Sequence, residues 1–157
     1  VTTVDNEILS FQEYFVERKA EPVLRDIDYK GADEASPSKE VADALLQADK
    51  VIIGPSNPIL SIGPILSIKK IKSILCGHPS VTVVSPFINQ KALKGPSDRN
   101  FADFGLEPNL NGLKEFYKDI ANKFVVHENE RTDANTSAEN ILFSEPNIAV
   151  NLAKKII

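Results

Sequence analysis

The chain has 157 residues, of which 42% are hydrophobic, and a formal net charge of −4 at pH 7. This length suits about one domain with an apolar core, the scattered basic residues argue against a nucleic-acid partner, and no apolar run reaches the roughly 20 residues of a membrane span. The single cysteine, Cys76, excludes an intrachain disulfide and, with only two histidines, cannot form a four-ligand zinc site without distant carboxylates, so we expect a reducing, cytoplasmic location.

The first part of the chain is predicted to contain one long strand, a loop and a helix. Residues 7 to 18, EILSFQEYFVER, alternate apolar and polar positions over part of their length, which predicts a strand. Residues 19 to 37 are mostly polar and predict a loop, with a short strand around Ile27 to Tyr29. Ser36-Pro37 offers an N-cap followed by proline at the first helical position, and the apolar residues from Val41 to Leu46 fall at helical spacing.

A strand–helix–strand unit is predicted in the middle of the chain. Lys50 to Gly54 and Val81 to Ser85 are short, β-branched segments of the kind that form buried strands. Apolar residues between them recur every three or four positions, which predicts a helix or a broken helix. These residues are Ile65, Ile68, Ile71, Ile74 and Leu75. Because strands joined by a helical crossover lie parallel in one sheet, we predict an α/β fold with a mainly parallel sheet.

The C-terminal half is predicted to continue this alternation. Residues 87 to 99 are expected to begin as a loop, and residues 127 to 137 to form a polar, mobile segment. Helical spacing, stop signals and short apolar runs predict three helices and two strands. They are a helix from about Ser97 to Gly105, a helix from about Asn111 to Asp119, a core strand at Phe124 to Val126, an edge strand at Ile141 to Phe143 and a closing helix at Pro146 to Ile157.

The segment after the first core strand, GPSNPILSIGPILSI at residues 54 to 68, contains the pentad PILSI twice and is expected to be a loop up to Pro64. Loops at the carboxyl ends of parallel strands line the ligand crevice of open α/β sheets. Glycines there let the backbone approach a ligand, and short polar side chains offer uncharged donors. The candidates are Gly54, Ser56, Asn57, Ser61 and Gly63. The alternative is a structural loop whose serines cap backbone groups, and the segment is neither a Walker A loop nor a G-x-G-x-x-G fingerprint.

Four segments, in a fixed order, resemble one known family. They are FQEYFVERKAEP at residues 11 to 22, GPSNPILSIGPIL at 54 to 66, VSPFINQKALKGPSDR at 84 to 99 and FGLEPNLNGLKEFY at 104 to 117. In this order and at this spacing they are similar to the CofD family of 2-phospho-L-lactate transferases, which act in the biosynthesis of the deazaflavin coenzyme F-420. The resemblance covers about residues 8 to 127.

The resemblance implies a Rossmann-like three-layer fold and a chain that is the C-terminal half of a larger domain. Family members carry, upstream of the residues present here, a glycine-rich strand–turn and an acidic segment associated with a metal ion. The chain starts at Val1 and contains no methionine, so we expect a processed or trimmed chain whose Mg²⁺ ligands lie upstream. Towards the C-terminus, His127 to Glu130 replace the family's Asp-Glu-Arg-Asp and Glu139 to Phe143 replace Thr-Asp-Thr-Leu-Met, so the family roles of those positions are not assigned.

The activity that the resemblance implies is transfer of a phospholactyl group from lactyl-2-diphospho-5′-guanosine to the deazaflavin alcohol Fo, with release of GMP. Related members use phosphoenolpyruvyl or phosphoglyceryl donors, and the sequence does not indicate which three-carbon acid is carried. Such transfer mainly needs positioning and neutralisation of phosphate charge, usually with Mg²⁺. The resemblance alone implies a homodimer that acts on small-molecule substrates, and we expect neither membrane nor nucleic-acid partners.

Two groups of site residues follow from the resemblance and from the loop chemistry. The donor phosphates or the reacting hydroxyl are expected to meet Gly54, Ser56, Asn57, Ser61 and Gly63 of the loop, with Lys94 and Arg99. The deazaflavin is expected to meet a stacking surface and two polar side chains, which are Phe11, Tyr14, Phe15, Gln12 and Arg18. The alternatives are that the aromatic residues pack in the core and that the lone basic residues are solvated.

Several other side chains receive no catalytic role. Glu13 is considered as a base or a partner of the metal, with a surface carboxylate as the alternative. His78 lies in a turn before a strand and is interpreted as structural, and His127 and Cys76 are given no role.

Two further hypotheses keep the fold and drop catalysis. The gluconeogenesis-factor (YvcK-like) group resembles this core and comprises regulators that bind nucleotide-type metabolites. That group is more similar to Gly-Pro-Gly-Ser-Leu-Tyr-Thr-Ser at the loop, so GPSNP and SIGP favour the transferase. The third hypothesis is a half-domain with a binding or scaffolding role alone.

Overall fold

The computed structural model describes residues 1–157. Its strands are β1 (Thr2–Thr3), β2 (Leu24–Asp26), β3 (Val51–Ile53), β4 (Val81–Val84), β5 (Phe87–Ile88), β6 (Lys91–Ala92), β7 (Lys123–His127) and β8 (Thr136–Glu139). Its helices are α1 (Lys39–Gln47), α2 (Gly63–Leu66), α3 (Lys69–Cys76), α4 (Ser97–Asp103), α5 (Leu110–Phe116) and α6 (Pro146–Ile156). The chain also contains two π-helical turns, which we call the N-terminal π-turn (Glu13–Glu17) and the PILSI π-turn (Pro58–Ile62). None of the helices combines the length and the apolar character needed to cross a membrane.

Four strands form one parallel sheet in the order β3-β4-β7-β8. Val51 pairs with Val81, Val83 with Phe124, and Val125 with Ser137. The pairs β1-β2 and β5-β6 are antiparallel and lie outside this sheet. The prediction of an α/β fold with a mainly parallel sheet is therefore confirmed.

Helices cover both faces of the sheet. On one face, apolar side chains of β3, β4 and β7 form a core with the PILSI π-turn and helices α2 to α5, in which Val83, Phe101 and Leu113 are almost fully buried. On the other face, Val84 and Val125 pack with Ile141 and with Leu152 of α6. Because successive residues of a strand face opposite sides, Val83 and Val84 belong to different cores. The Rossmann-like three-layer arrangement is confirmed.

The predicted strands at β3, β4 and β7 and the predicted helices at α1, α4, α5 and α6 are confirmed within a few residues. The predicted broken helix before β4 is also confirmed, since α2 ends at Leu66 and α3 begins at Lys69. The N-cap of α1 is Ser38 and not Ser36, because the Ser38 hydroxyl accepts the N–H of Val41 at 3.4 Å. The early short strand is β2, three residues before its predicted place.

The long strand predicted over residues 7 to 18 is wrong, because residues 11 to 17 are helical. The Ser10 hydroxyl accepts the N–H of Glu13 at 3.3 Å, and the Glu13 carboxylate accepts the N–H of Ser10 at 2.7 Å. This reciprocal pair is a capping box, which fixes the start of a helix. Helical spacing also places Phe11 and Phe15 on one face, where their rings stack 5.3 Å apart.

Three other predictions need correction. The edge strand is β8 and not Ile141 to Phe143, and Ile141 is instead fully buried against α6. The loop predicted from residue 87 contains the β5-β6 hairpin, whose turn residues Asn89 and Gln90 have positive φ angles. The segment from Gly54 to Pro64 is not all loop, because the PILSI π-turn runs directly into α2.

Candidate functional site

The loop that leaves β3 lies at the carboxyl edge of the parallel sheet, together with the segments that follow β4 and β7. Gly54 is exposed, and a side chain added there would meet no other part of the chain within 4 Å. Ser56 and Ser61 are also exposed. The structure therefore leaves open space next to three of the five loop residues that the sequence proposed as ligand contacts.

Asn57 fixes the start of the PILSI π-turn. Its side-chain oxygen accepts the N–H groups of Ile59 at 2.9 Å and of Leu60 at 3.0 Å. Its side-chain nitrogen donates to the side-chain oxygen of Asn100 at 2.9 Å. Both ends of this amide are thus held, and the first turn of the loop is bound to α4.

Asn100, which the sequence analysis missed, extends this link into the core. It is fully buried, and its nitrogen donates to the Tyr14 hydroxyl at 2.9 Å. Tyr14 is fully buried too, and its hydroxyl lies 3.4 Å from the carbonyl oxygen of Ala20. The Asn57–Asn100–Tyr14 chain therefore joins the loop after β3, helix α4 and the N-terminal π-turn, three segments that are distant in sequence.

Gly63, the last of the five proposed loop residues, is buried beneath the side chain of Tyr29. A methyl group at Gly63 would overlap the Tyr29 hydroxyl and would lie 2.9 Å from the ring carbon that carries it. That hydroxyl donates to the carbonyl oxygen of Ile59 at 2.7 Å. In a π-helix this carbonyl would accept the N–H of the residue five positions later, which is Pro64. Because proline has no N–H, the Tyr29 hydroxyl supplies the missing donor.

The residues proposed for the deazaflavin have different environments. Phe11 and Phe15 remain 47% and 40% exposed, and their stacked rings are nearly parallel, with an interplanar angle of 14°. Tyr14 presents no exposed face, since it is fully buried. Gln12 is exposed, and Arg18 forms an ion pair with Glu7.

An apolar cavity of about 660 Å³ lies beside these aromatic residues. It joins the N-terminal segment to the PILSI segment, and its lining includes Leu9, Phe11, Tyr29, Leu60 and Pro64. Of the residues proposed for the deazaflavin, Phe11 alone lines it. Tyr29 and Leu60 were not singled out, because nothing in the local sequence shows that residues 30 positions apart converge here.

The two proposed basic residues lie near the start of α4. Lys94 is exposed in the loop between β6 and α4, and Arg99 is exposed on α4 next to Asn100. Burial raises the pKa of Tyr14, while the hydrogen bond from Asn100 and the charge of Arg99 oppose that rise. Arg99 is therefore close enough to the Asn57–Asn100–Tyr14 chain to act on it electrostatically.

A second cleft at the carboxyl edge was also missed. Its volume is about 380 Å³, and the β5-β6 turn, the start of α5 and the segment after β7 form its walls. The Glu130 carboxylate accepts the N–H of Asn89 at 2.9 Å across this cleft. Amide side chains dominate the lining, which includes Asn89, Gln90, Asn109, Asn111, Asn129 and Arg131. They come from segments without a common motif, so spacing alone gives no signal for the cleft.

The chain brings together no group of three or more aspartate, glutamate, histidine or cysteine side chains that could hold a metal ion. Glu13 is a surface carboxylate whose pKa is lowered mainly by hydrogen bonds from Ser10. His78 is structural, as predicted: one ring nitrogen contacts the carbonyl oxygen of Ala48 at 2.8 Å, and the other accepts the N–H of Ser80 at 3.1 Å.

Comparison with known proteins gives one consistent result. The family described as 2-phospho-L-lactate transferase CofD matches residues 1–152. A protein named 2-phospho-L-lactate transferase from Methanopyrus kandleri is 47% identical over 122 residues, which are 76% of this chain and 39% of that protein. A protein of the same name from Methanocaldococcus jannaschii is 35% identical over 156 residues, which are 96% of this chain and 50% of that protein. The chain thus spans half or less of the length of these curated relatives.

Proposed function

The chain belongs to the CofD family of 2-phospho-L-lactate transferases, and on that premise we propose that it forms part of an enzyme that transfers a phospholactyl group from a guanosine diphosphate-linked donor to the deazaflavin alcohol Fo. The observation that carries this proposal is the Asn57–Asn100–Tyr14 chain, which holds the loop after β3 rigidly and leaves Ser56 and Ser61 open to a ligand. A preformed loop loses less affinity to ordering when it binds.

The donor diphosphate is proposed to bind along this loop. The backbone at Gly54 is unobstructed, and the hydroxyls of Ser56 and Ser61 are short donors for phosphate oxygens. Arg99 and Lys94 are proposed to balance the phosphate charge. Asn57 acts as a positioning residue, because both ends of its amide are already engaged.

The flat deazaflavin ring is proposed to enter the apolar cavity beside Phe11. Aromatic rings stack favourably on flat ligands. The cavity volume of about 660 Å³ lies in the range of small-molecule sites. Gln12 and Arg18 are proposed to contact the polar edge of the bound molecule, and Arg18 would exchange its present partner Glu7 for the ligand.

The reaction is proposed as a single displacement. The terminal hydroxyl of Fo attacks the phosphorus that carries the lactyl ester, and a new P–O bond forms as the P–O bond to the leaving phosphate breaks. GMP leaves with the electron pair of that bond, and the hydroxyl proton passes to solvent. The side chains of this chain bind and orient the two substrates. Mg²⁺ is proposed to be held by residues outside this chain, and no step is assigned to it here.

A titration of Fo fluorescence tests the proposal. We expect saturable quenching in the presence of GDP, a weaker Fo affinity in Phe11→Ala, and a weaker GDP affinity in Asn57→Ala. Ile65→Ala is the matched control, since Ile65 is an exposed apolar residue of the same segment and is absent from the cavity lining. Folded protein that leaves Fo fluorescence unchanged would reject the acceptor site, and binding of both ligands without GMP release by the complete protein would favour a regulator of the gluconeogenesis-factor type.

A homodimer in the cytoplasm is also proposed. Exposed apolar side chains at Ile8, Phe15 and Val16 offer a surface for a second copy, and the unpaired Cys76 suits a reducing compartment. Light scattering measures the mass in solution, and a monomeric mass at micromolar concentration would reject the dimer.

A further inference from the structure

A cavity of about 290 Å³ lies at the amino edge of the parallel sheet, opposite the loop that leaves β3. Its lining comes from residues at or just before the starts of the four parallel strands, such as Lys50, Ser80, Lys123 and Asn135, and from the last turn of α6. Because all four strands run in the same direction, this edge is separated from the proposed transfer site by the length of the strands.

The lining is basic in a chain that is acidic as a whole. Three lysines line the cavity and no acidic residue does, although the net charge of the chain is −4. Lys155 forms an ion pair with Glu139, and the Lys50 ammonium donates to the main-chain oxygen of Ile157 at 2.5 Å and lies 3.4 Å from that of Ile156. Lys123 forms no ion pair, so its charge is available to a ligand in the cavity.

Thr82 supplies a second, independent observation. It is 5% exposed in β4 and lines the cavity. No buried side-chain oxygen or nitrogen lacks a hydrogen-bond partner, and the Thr82 hydroxyl has no partner within the chain, so this hydroxyl reaches the open space of the cavity and is available to a ligand. Thr82 pairs with Lys123 across β4 and β7, so the two side chains stand next to each other on the same face of the sheet.

We propose that this cavity binds a small phosphate-type oxyanion, either inorganic phosphate or the terminal phosphate of a metabolite. The ammonium group of Lys123 and the hydroxyls of Thr82 and Ser80 supply donors from two adjacent strands. The ligand would bridge β4 and β7 beneath α6 and would stabilise the folded chain by mass action. This site is separate from the proposed donor site and does not depend on the proposed transferase activity.

Thermal unfolding with increasing phosphate at constant ionic strength tests this site. We expect a saturable rise in Tm with phosphate and none with chloride. Lys123→Gln and Thr82→Val should each weaken the apparent phosphate affinity about tenfold, the size expected for loss of one charge-assisted hydrogen bond. Lys70→Gln, an exposed lysine on α3 at the other face of the sheet, is the matched control and should keep the wild-type response.

The outcomes separate the possible sources of a Tm shift. A response that persists unchanged in Lys123→Gln and Thr82→Val would overturn the site, as would an equal response to chloride. A response that disappears in Asn57→Ala would assign the phosphate to the loop after β3 and would also overturn it. Repeating the titration with glycerol 3-phosphate distinguishes the two sources, since tighter binding of the ester than of inorganic phosphate indicates a metabolite.

Discussion

The two copies of the pentad PILSI, residues 58 to 62 and 64 to 68, have the same sequence and different structures. The first forms the PILSI π-turn, whereas the second begins in α2 and ends with an extended residue, Ile68, at ψ 104°. Ile59 of the first copy is 6% exposed, and its counterpart Ile65 is 48% exposed. Identical local propensities therefore do not decide how these residues are buried.

The difference comes from the residues around each copy. The first copy is preceded by Asn57, which caps it, and Tyr29 binds its Ile59 carbonyl group. The second copy is preceded by Gly63 and has only an internal side-chain bond, from the Ser67 hydroxyl to the carbonyl oxygen of Pro64 at 2.7 Å. A long-range hydrogen bond therefore acts on the first copy and not on the second, and the comparison can be tested position by position.

The largest difference is expected between Ile59→Ala and Ile65→Ala. Truncation of a buried isoleucine leaves a cavity and should lower the free energy of unfolding by about 3 kcal/mol. The same change at the exposed Ile65 should cost less than about 1 kcal/mol. Urea unfolding of the two variants measures both values. Equal costs would mean that the two copies are packed alike and would remove the basis of the comparison.

The next effect concerns the polar link that only the first copy possesses. Asn100→Leu introduces an apolar side chain of similar size, which leaves the Asn57 side-chain nitrogen without its acceptor and the Tyr14 hydroxyl without its donor. The free energy of unfolding should fall by about 2 kcal/mol, the cost of buried polar groups that lose their hydrogen bonds. Urea unfolding gives the loss, and Asn151→Leu, at an exposed amide of α6, serves as the comparison and should leave the free energy of unfolding nearly unchanged. A neutral Asn100→Leu would show that the chain is not a structural link.

A smaller effect is expected at the junction of the two copies. In Gly63→Ala the added methyl group meets Tyr29, so the free energy of unfolding should fall by about 1.5 kcal/mol, as in other overpacked sites. Tyr29→Phe removes the hydroxyl that overlaps the methyl group, so the double variant should cost less than the sum of the two single changes. Strict additivity in this double-mutant cycle would show that Tyr29 does not constrain Gly63.

The sequence predicts those strands and helices whose own apolar residues recur at the spacing of a strand or a helix. Strands β3, β4 and β7 and helix α6 are of this kind, and burial of their apolar residues confirms them. Strand β8, TSAE, has no apolar alternation, because its contribution is backbone pairing to β7. The helix at residues 11 to 17 was not predicted, because the partial alternation of EILSFQEYFVER was interpreted as a strand. The Ser-x-x-Glu spacing of Ser10 and Glu13, which forms a capping box in the structure, is the better signal.

In the candidate site, too, local sequence predicts some features and others depend on contacts between distant segments. The loop segment GPSNP was recognisable as a motif, and the structure adds how it is held. Asn57 and Asn100 are 43 residues apart in the sequence, and Asn100 and Tyr14 are 86 residues apart. The local sequence therefore predicts neither of these hydrogen bonds. Sequence thus indicated the candidate segments, and only the fold shows which side chains position them and which stay exposed to solvent.

The smallest stability effect is expected at the two serines of the repeat, where stability and binding should separate. Ser67→Ala loses the hydrogen bond to the Pro64 carbonyl and should lower the free energy of unfolding by about 0.5 kcal/mol. Ser61→Ala, at an exposed position, should change the free energy of unfolding by less than about 0.5 kcal/mol. Affinity for GDP should follow the opposite order, because only the Ser61 hydroxyl is free to donate to a phosphate oxygen. Urea unfolding and a GDP titration of each variant measure the two quantities. If Ser67→Ala weakens GDP binding as much as Ser61→Ala does, the segment responds as one unit, and the Ser61 hydroxyl is not a specific ligand contact.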